Sequence, residues 1–303
     1  MKLLLFCLLN LFSVSVLLGA EVDIIWWNVA RVGIDTHGAK IPRSKKEKSR
    51  NLLLVSQITK LAETHSPEHF IMGEIVETAF PKSFWDKMRR IYHYHKFFSY
   101  NSTYPEFGIL VFSKTGPHKT IEKNMPWYPA GRESEFKTKW LRPFSDDPHS
   151  KTYVQLEYGV HKASYSLIPV HLMQPWMQIE KEFGVLKTLD IMVNEANQPL
   201  IYQLASLLKF TKMLTPPGQR FIVIGDFNFP KKILFRKTYA YSLISKNLDM
   251  LGKTGGTFKS SFLNLGTPLD LDQVYGRGVR AQSLKVLKSK GSDHHPIYFQ
   301  FFF

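Results

Sequence analysis

Asp226 and Asn228 flank a single phenylalanine, and Asp293 and His294 are adjacent. Asn28 and Glu74 each close a short apolar run. Carboxylate and amide oxygens are the donors that a hard cation such as Mg2+ or Mn2+ takes. Imidazole and carboxylate can orient or deprotonate water, and amide or cationic donors can hold developing charge. Together these groups suit attack of water on a phosphorus atom that is screened by its own negative oxygens. The chemistry needs no thiol. The one cysteine, Cys7, lies near the N-terminus, which excludes cysteine nucleophiles and cysteine–metal sites from the rest of the chain.

Such residues need rigid elements to aim them. The runs 22–27, 70–74, 109–113, 164–170, 221–224, 271–275, 281–287 and 297–303 read as strands, several of them continuously apolar, as strands buried on both faces are. Asn28, Glu74, Asp226 and Asn228 stand at the ends of three of these runs, and Asp293 and His294 precede the last. Residues 44–63 place Leu52, Leu53, Val55, Ile58 and Leu61 near a 3.6-residue period. Residues 197–214 do the same and stop before Pro216-Pro217-Gly218. The stretches 98–107, 114–151 and 172–194 read as irregular loops rich in Trp, Tyr, Pro, Lys and Arg, the kind that build a substrate surface. The pattern predicts an α/β fold of two packed β-sheets with helices outside. The basic stretch 40–50 is either a solvated helix start or a phosphate-facing arm.

Residues 1–20 have the layout of a secretory signal peptide: Lys2, an apolar run, then Leu18-Gly19-Ala20. Cleavage after Ala20 is expected, leaving 21–303 as one catalytic domain, secreted or periplasmic. The alternative is an uncleaved membrane anchor. The chain carries 40 Lys and Arg against 25 Asp and Glu, a net charge of +15. Lys2 is the only charged residue of the leader, so the charge stays with the mature chain. A surface this basic attracts polyanions such as nucleic acid or anionic lipid.

Seven segments resemble the endonuclease/exonuclease/phosphatase superfamily, in that family's order and across nearly the whole chain. They are Ile25-Trp26-Trp27-Asn28, Ile71-Met72-Gly73-Glu74, the run 107–113, Ile168-Pro169-Val170-His171-Leu172, Ile224-Gly225-Asp226-Phe227-Asn228, Leu271-Asp272-Gln273-Val274 and Ser292-Asp293-His294-His295-Pro296. The Gly-Asp-Phe-Asn and Ser-Asp-His-x-Pro pieces are the specific ones. The resemblance implies a four-layer sandwich, two mixed sheets flanked by helices. It implies Mg2+ or Mn2+ at Glu74 with Asn28 beside it and Asp293 as a second metal-side carboxylate; Ca2+ is an option as a structural ion. Asp226 and Asn228 correspond to the pair that handles the water and the scissile phosphate. His294 corresponds to the general base or phosphate contact, oriented by Asp272. His171 corresponds to a phosphate contact or the proton donor to the leaving oxygen. Arg142, in Trp140-Leu141-Arg142-Pro143, is the candidate phosphate-binding arginine, in surroundings that depart from the family pattern.

Three neighbours compete for these roles. Asp270 precedes Asp272 by two residues and reads as a solvated strand-start residue. His295 follows His294 and, on an extended chain, points to the other face. Tyr92-His93-Tyr94-His95 alternates like a metal site but reads better as an edge strand with one packed face. The expected substrate is nucleic acid, most of all DNA, cut by an endonuclease. The charge favours it, as do loops mixing aromatics and cations at Trp127-Tyr128, Arg132 and 137–140. The alternative is a phosphatase or phospholipase C-type enzyme acting on phosphoinositide or sphingomyelin headgroups, which would touch a membrane; Trp176 and Met177 lie in a loop suited to that. A binding protein on a decayed scaffold fits less well, because every expected catalytic position holds a competent residue.

Overall fold

The computed structural model describes residues 21–32, 45–100, 106–126, 150–160, 163–172, 176–194, 199–233, 235–258 and 269–303. One six-stranded sheet has the order β13-β14-β1-β2-β4-β3, from strands Glu21–Val32 (β1), His69–Val76 (β2), Tyr94–Ser99 (β3), Phe107–Ser113 (β4), Arg280–Val286 (β13) and Ile297–Phe302 (β14). The other has the order β11-β12-β8-β7-β6-β5, from Lys119–Pro126 (β5), Ser150–Val160 (β6), Ala163–His171 (β7), Arg220–Asp226 (β8), Asp249–Met250 (β11) and Asp272–Arg277 (β12). A two-stranded ribbon joins Lys232–Ile233 (β9) to Arg236–Lys237 (β10). Among the described residues there are five α-helices: Lys45–His65 (α1), Lys82–Ile91 (α2), Trp176–Asn194 (α3), Pro199–Leu214 (α4) and Tyr239–Ser245 (α5).

The apolar runs divide by parity. On β1, Val22, Ile24 and Trp26 face the second sheet and pack with Leu156, Leu167, Ile222, Ile224 and Val274. Ile25, Trp27 and Val29 face outward and pack with Leu54 and Ile58 of α1 and Phe84 and Met88 of α2. The second sheet repeats this, its outer residues Ile168, Val170, Phe221 and Val223 packing with Leu200, Leu204 and Leu207 of α4 and Ile244 of α5. Four layers result, as expected, and continuous hydrophobicity is what strands covered on both faces require. At the end of the sandwich away from the residues of interest, His69 sits buried between the sheets. Its Nδ1 meets Ser113 Oγ at 2.8 Å and its Nε2 meets the Tyr165 hydroxyl. Burial, then the Lys114 charge, pushes its pKa down to about 3, so the ring is neutral.

Two expectations are corrected. The stretch 114–151 contains β5 and the start of β6, and 172–194 contains α3, in which Gly184 interrupts the helix at φ 77. β5 is mostly polar, with only Ile121 and Met125 apolar besides Pro126, because it is an edge strand, so its hydrophobic signal is diluted. The Tyr94–His95 pair does lie on an edge strand, with His95 packed against Trp85 and Phe112 and His93 exposed.

Parallel pairing of β1 with β2 and of β7 with β8 brings four strand ends to one edge of the sandwich. Gly225 is essential there. A Cβ on it would lie 1.8 Å from the Val170 carbonyl oxygen, a backbone atom that cannot step aside. Gly225→Ala is expected to destabilise the protein by about 3 kcal/mol, read as a lower urea midpoint at unchanged slope; an unchanged midpoint would contradict the close β7–β8 approach.

Candidate active site

Register places the polar residues in a row. Asp226, the last residue of β8, pairs with His171 at the end of β7 and with Asp272 at the start of β12. On the facing sheet, Asn28 and Glu74 lie not beyond their strands but inside them, where β1 and β2 break register. Glu74 adopts φ 55 and Asn228 φ 53. Left-handed backbone is costly for a glutamate. At Glu74 the surroundings hold it: the Tyr100 hydroxyl accepts the Glu74 N–H at 2.9 Å, and the Tyr100 ring stacks on His171 with centroids 4.8 Å apart.

Asp226 is the hub. Its Oδ2 accepts from Asn28 Nδ2 at 2.8 Å and its Oδ1 from the Asn228 backbone N–H at 2.8 Å. Asn28 Nδ2 also donates to Glu74 Oε1 at 3.0 Å, and His171 Nε2 lies 3.0 Å from that same oxygen. His294 Nε2 is 3.7 Å from Asp226 Oδ2, and His294 Nδ1 is 2.7 Å from Asp272 Oδ2. Asn228 Nδ2 donates to the Leu172 carbonyl at 2.6 Å, tying the loop after β8 to the end of β7.

The electrostatics follow from burial. Desolvation, reinforced by Asp272 and Glu74 against the pull of His294 and His171, raises Asp226 to about 6. Burial alone would lower His294, but the Asp272 and Asp226 carboxylates hold it up at about 10, an imidazolium at neutral pH. Burial would raise Glu74, yet His171 and then Asn28 bring it down to about 2. Three carboxylates thus share one edge with one firm cation.

Among the described residues, two groups of three could hold a metal ion: Glu74, His171 and Asp226, and Asp226, Asp272 and His294, each with its donor atoms within 4.8 Å of one another. The first fits a hard divalent cation better. It offers carboxylate oxygens at the more open side of the site, and Asn28 spans both carboxylates. In the second, the imidazolium already neutralises its carboxylates.

The expected residues Asn28, Glu74, His171, Asp226, Asn228, Asp272 and His294 therefore converge. Asp293 does not join them: it is exposed and belongs to neither group, because its neighbour His294 takes the inward direction. Arg142 lies outside the described residues, as do the aromatic and cationic loop at 127–149 and residues 1–20. Asp270 turns away to accept the Gly256 N–H at 2.5 Å and pair with Lys231 at 3.5 Å. His295 Nδ1 accepts from the Ser289 N–H instead.

Sequence reasoning missed the supports. Trp26 Nε1 donates to Asp272 Oδ1 at 2.8 Å, and Trp27 Nε1 to the His294 carbonyl at 3.1 Å. Ser292 Oγ accepts the His294 N–H and donates to the Asn28 carbonyl. The Trp26-Trp27 pair beside Asn28 carried a signal, since a buried indole N–H needs an acceptor. Tyr100 carried none.

No family model matches the sequence, and no curated protein matches it. Solved structures match over almost the whole chain. An endonuclease/exonuclease/phosphatase from Beutenbergia cavernae is 12% identical, with a TM-score of 0.59, covering 93% of this chain and 71% of that one. A Bacteroides thetaiotaomicron mannosyl-6-phosphatase is 11% identical, with a TM-score of 0.58, covering 93% and 100%. D. rerio TDP2 with a single-strand DNA product is 12% identical, with a TM-score of 0.55, covering 93% and 99%. The chain has the endonuclease/exonuclease/phosphatase fold.

Two outcomes test this geometry. Trp26→Phe keeps the ring but removes the Asp272 hydrogen bond, and is expected to lower kcat about 10–100-fold with KM nearly unchanged; steady-state kinetics check it. In chelator, His294 binds its proton more tightly folded than unfolded. Its stabilisation is therefore full below pH 6.5 and is lost as pH rises towards about 10. The thermal midpoint of the wild type should lose its advantage over His294→Asn across that window; a constant difference would refute the imidazolium.

Proposed function

We propose that the protein is a divalent-metal-dependent phosphodiesterase that cleaves nucleic acid, DNA above all, after export directed by residues 1–20. The observation that carries this reading is the Asp226 hub, where a carboxylate near the pKa of a working base lies between the His294 imidazolium and the partly exposed Glu74 carboxylate. Mg2+ or Mn2+ held at Glu74, with Asn28 beside it, would neutralise phosphate oxygens and the leaving group. Asp226, steadied by the Asn228 N–H and Asn28, takes the proton of the attacking water. His294, kept charged and fixed by Asp272, donates from Nε2 to a non-bridging phosphate oxygen. His171, stacked on Tyr100, contacts the phosphate or protonates the leaving oxygen. The basic charge of +15 favours a polyanionic substrate.

The fold hosts phosphatases as well as DNA-bound proteins, so substrate class is the point to test. Supercoiled plasmid, RNA, a phosphoinositide and sphingomyelin are offered with Mg2+, with Mn2+ and with chelator. Nicking of plasmid that chelator stops, and that falls about 10²–10⁴-fold in His294→Ala, is expected. Headgroup release without nicking would overturn the nucleic-acid reading, and activity surviving in chelator would overturn the mechanism.

A further inference from the structure

The β9–β10 ribbon begins six residues after Asp226 and has no part in the chemistry above. Its base is clamped beside the site. Thr238 Oγ1 donates to the Pro230 carbonyl at 2.8 Å, and the Thr238 N–H donates to Lys231 O at 3.2 Å. Gln273 Nε2, next to Asp272, donates to Phe229 O at 2.7 Å, and Arg236 donates to Asn194 Oδ1 at 3.0 Å. At the turn, Phe235 is 98% exposed and sits at φ 71. That backbone conformation suits glycine or asparagine and penalises a bulky residue. The ring covers no core in return. Neither the turn nor the packing explains a phenyl group there. Lys232, Arg236 and Lys237, all exposed, lie on the same ribbon.

We propose that this ribbon docks single-stranded nucleic acid, an inference that rests on the phosphodiesterase reading above. Phe235 stacks on an unpaired base while Lys232, Arg236 and Lys237 meet phosphates of the same strand. Base–aromatic stacking with a cationic track is how sequence-tolerant single-strand binding is built. A duplex hides its base faces and leaves the ring nothing to cover. A bilayer fits less well: Ile233 points inward and is buried, so among the described residues Phe235 alone would enter it, with charges immediately beside it. Phe235 lies nine positions after Asp226, a reach of at most about 30 Å, or roughly nine nucleotides at stacked spacing.

The test is binding in chelator, where cleavage is absent. Anisotropy is measured with a labelled oligothymidylate of roughly 12 nucleotides, longer than that reach, and with a dinucleotide. Phe235→Ala is expected to weaken binding of the long strand about 5–100-fold, and Phe235→Trp to retain it. Replacing Lys232, Arg236 and Lys237 together by Ala should flatten the salt slope by about 2. Dinucleotide binding should not change in any variant. Long-strand binding that is absent in the wild type, or equal in Phe235→Ala, overturns the proposal. Loss of binding to phosphatidylserine vesicles in Phe235→Ala, with strand binding intact, overturns it in favour of a lipid surface. Ribbon-dependent binding in a protein that cleaves no nucleic acid supports the ribbon and overturns the phosphodiesterase reading instead.

Discussion

A carboxylate cut off from water needs compensation, and Asp226 is almost completely buried at the edge where the two sheets meet. Asn28, the Asn228 backbone, His294 and His171 answer it from four different segments. Glu74 and Asp272 work against it, so the balance stays negative. A site with this balance attracts a cation and keeps a basic group near neutrality. Both consequences come from burying more negative charge than the described residues around it neutralise.

The compensation depends on strand register. One residue of slip in β8 would turn Asp226 to the other face of its sheet and replace it with Gly225 or Phe227. At Gly225 the register leaves no room for a side chain against the Val170 carbonyl. Strand alternation on β1 makes a further link. Trp26 faces the second sheet and holds Asp272, while Trp27 faces outward and holds the backbone of His294. A single dipeptide thus positions both members of the Asp272–His294 pair from opposite faces of one strand.

Much of the fold was legible. Buried strands announce themselves as apolar runs, and α1 and α4 as 3.6-residue periods, because each buries a fixed face. β5 and α3 were not legible as elements: the first is a polar edge strand, and the second is interrupted at Gly184. The site was legible as residue types near strand ends. Its exclusions were legible too: the alternation that separates His295 from His294 also turns Asp293 away from the side His294 faces.

By itself the sequence determined the donor set, the layered architecture and the basic charge, since these are properties of composition and of period along the chain. The tertiary structure alone decided which acidic groups crowd one another, that Tyr100 holds Glu74 and His171, and that a phenylalanine stands bare at the turn of the β9–β10 ribbon. Those facts join residues tens to hundreds of positions apart, or contradict a residue's own preference. Only the packing of two sheets against each other can set the distances on which charge, burial and hydrogen bonding depend.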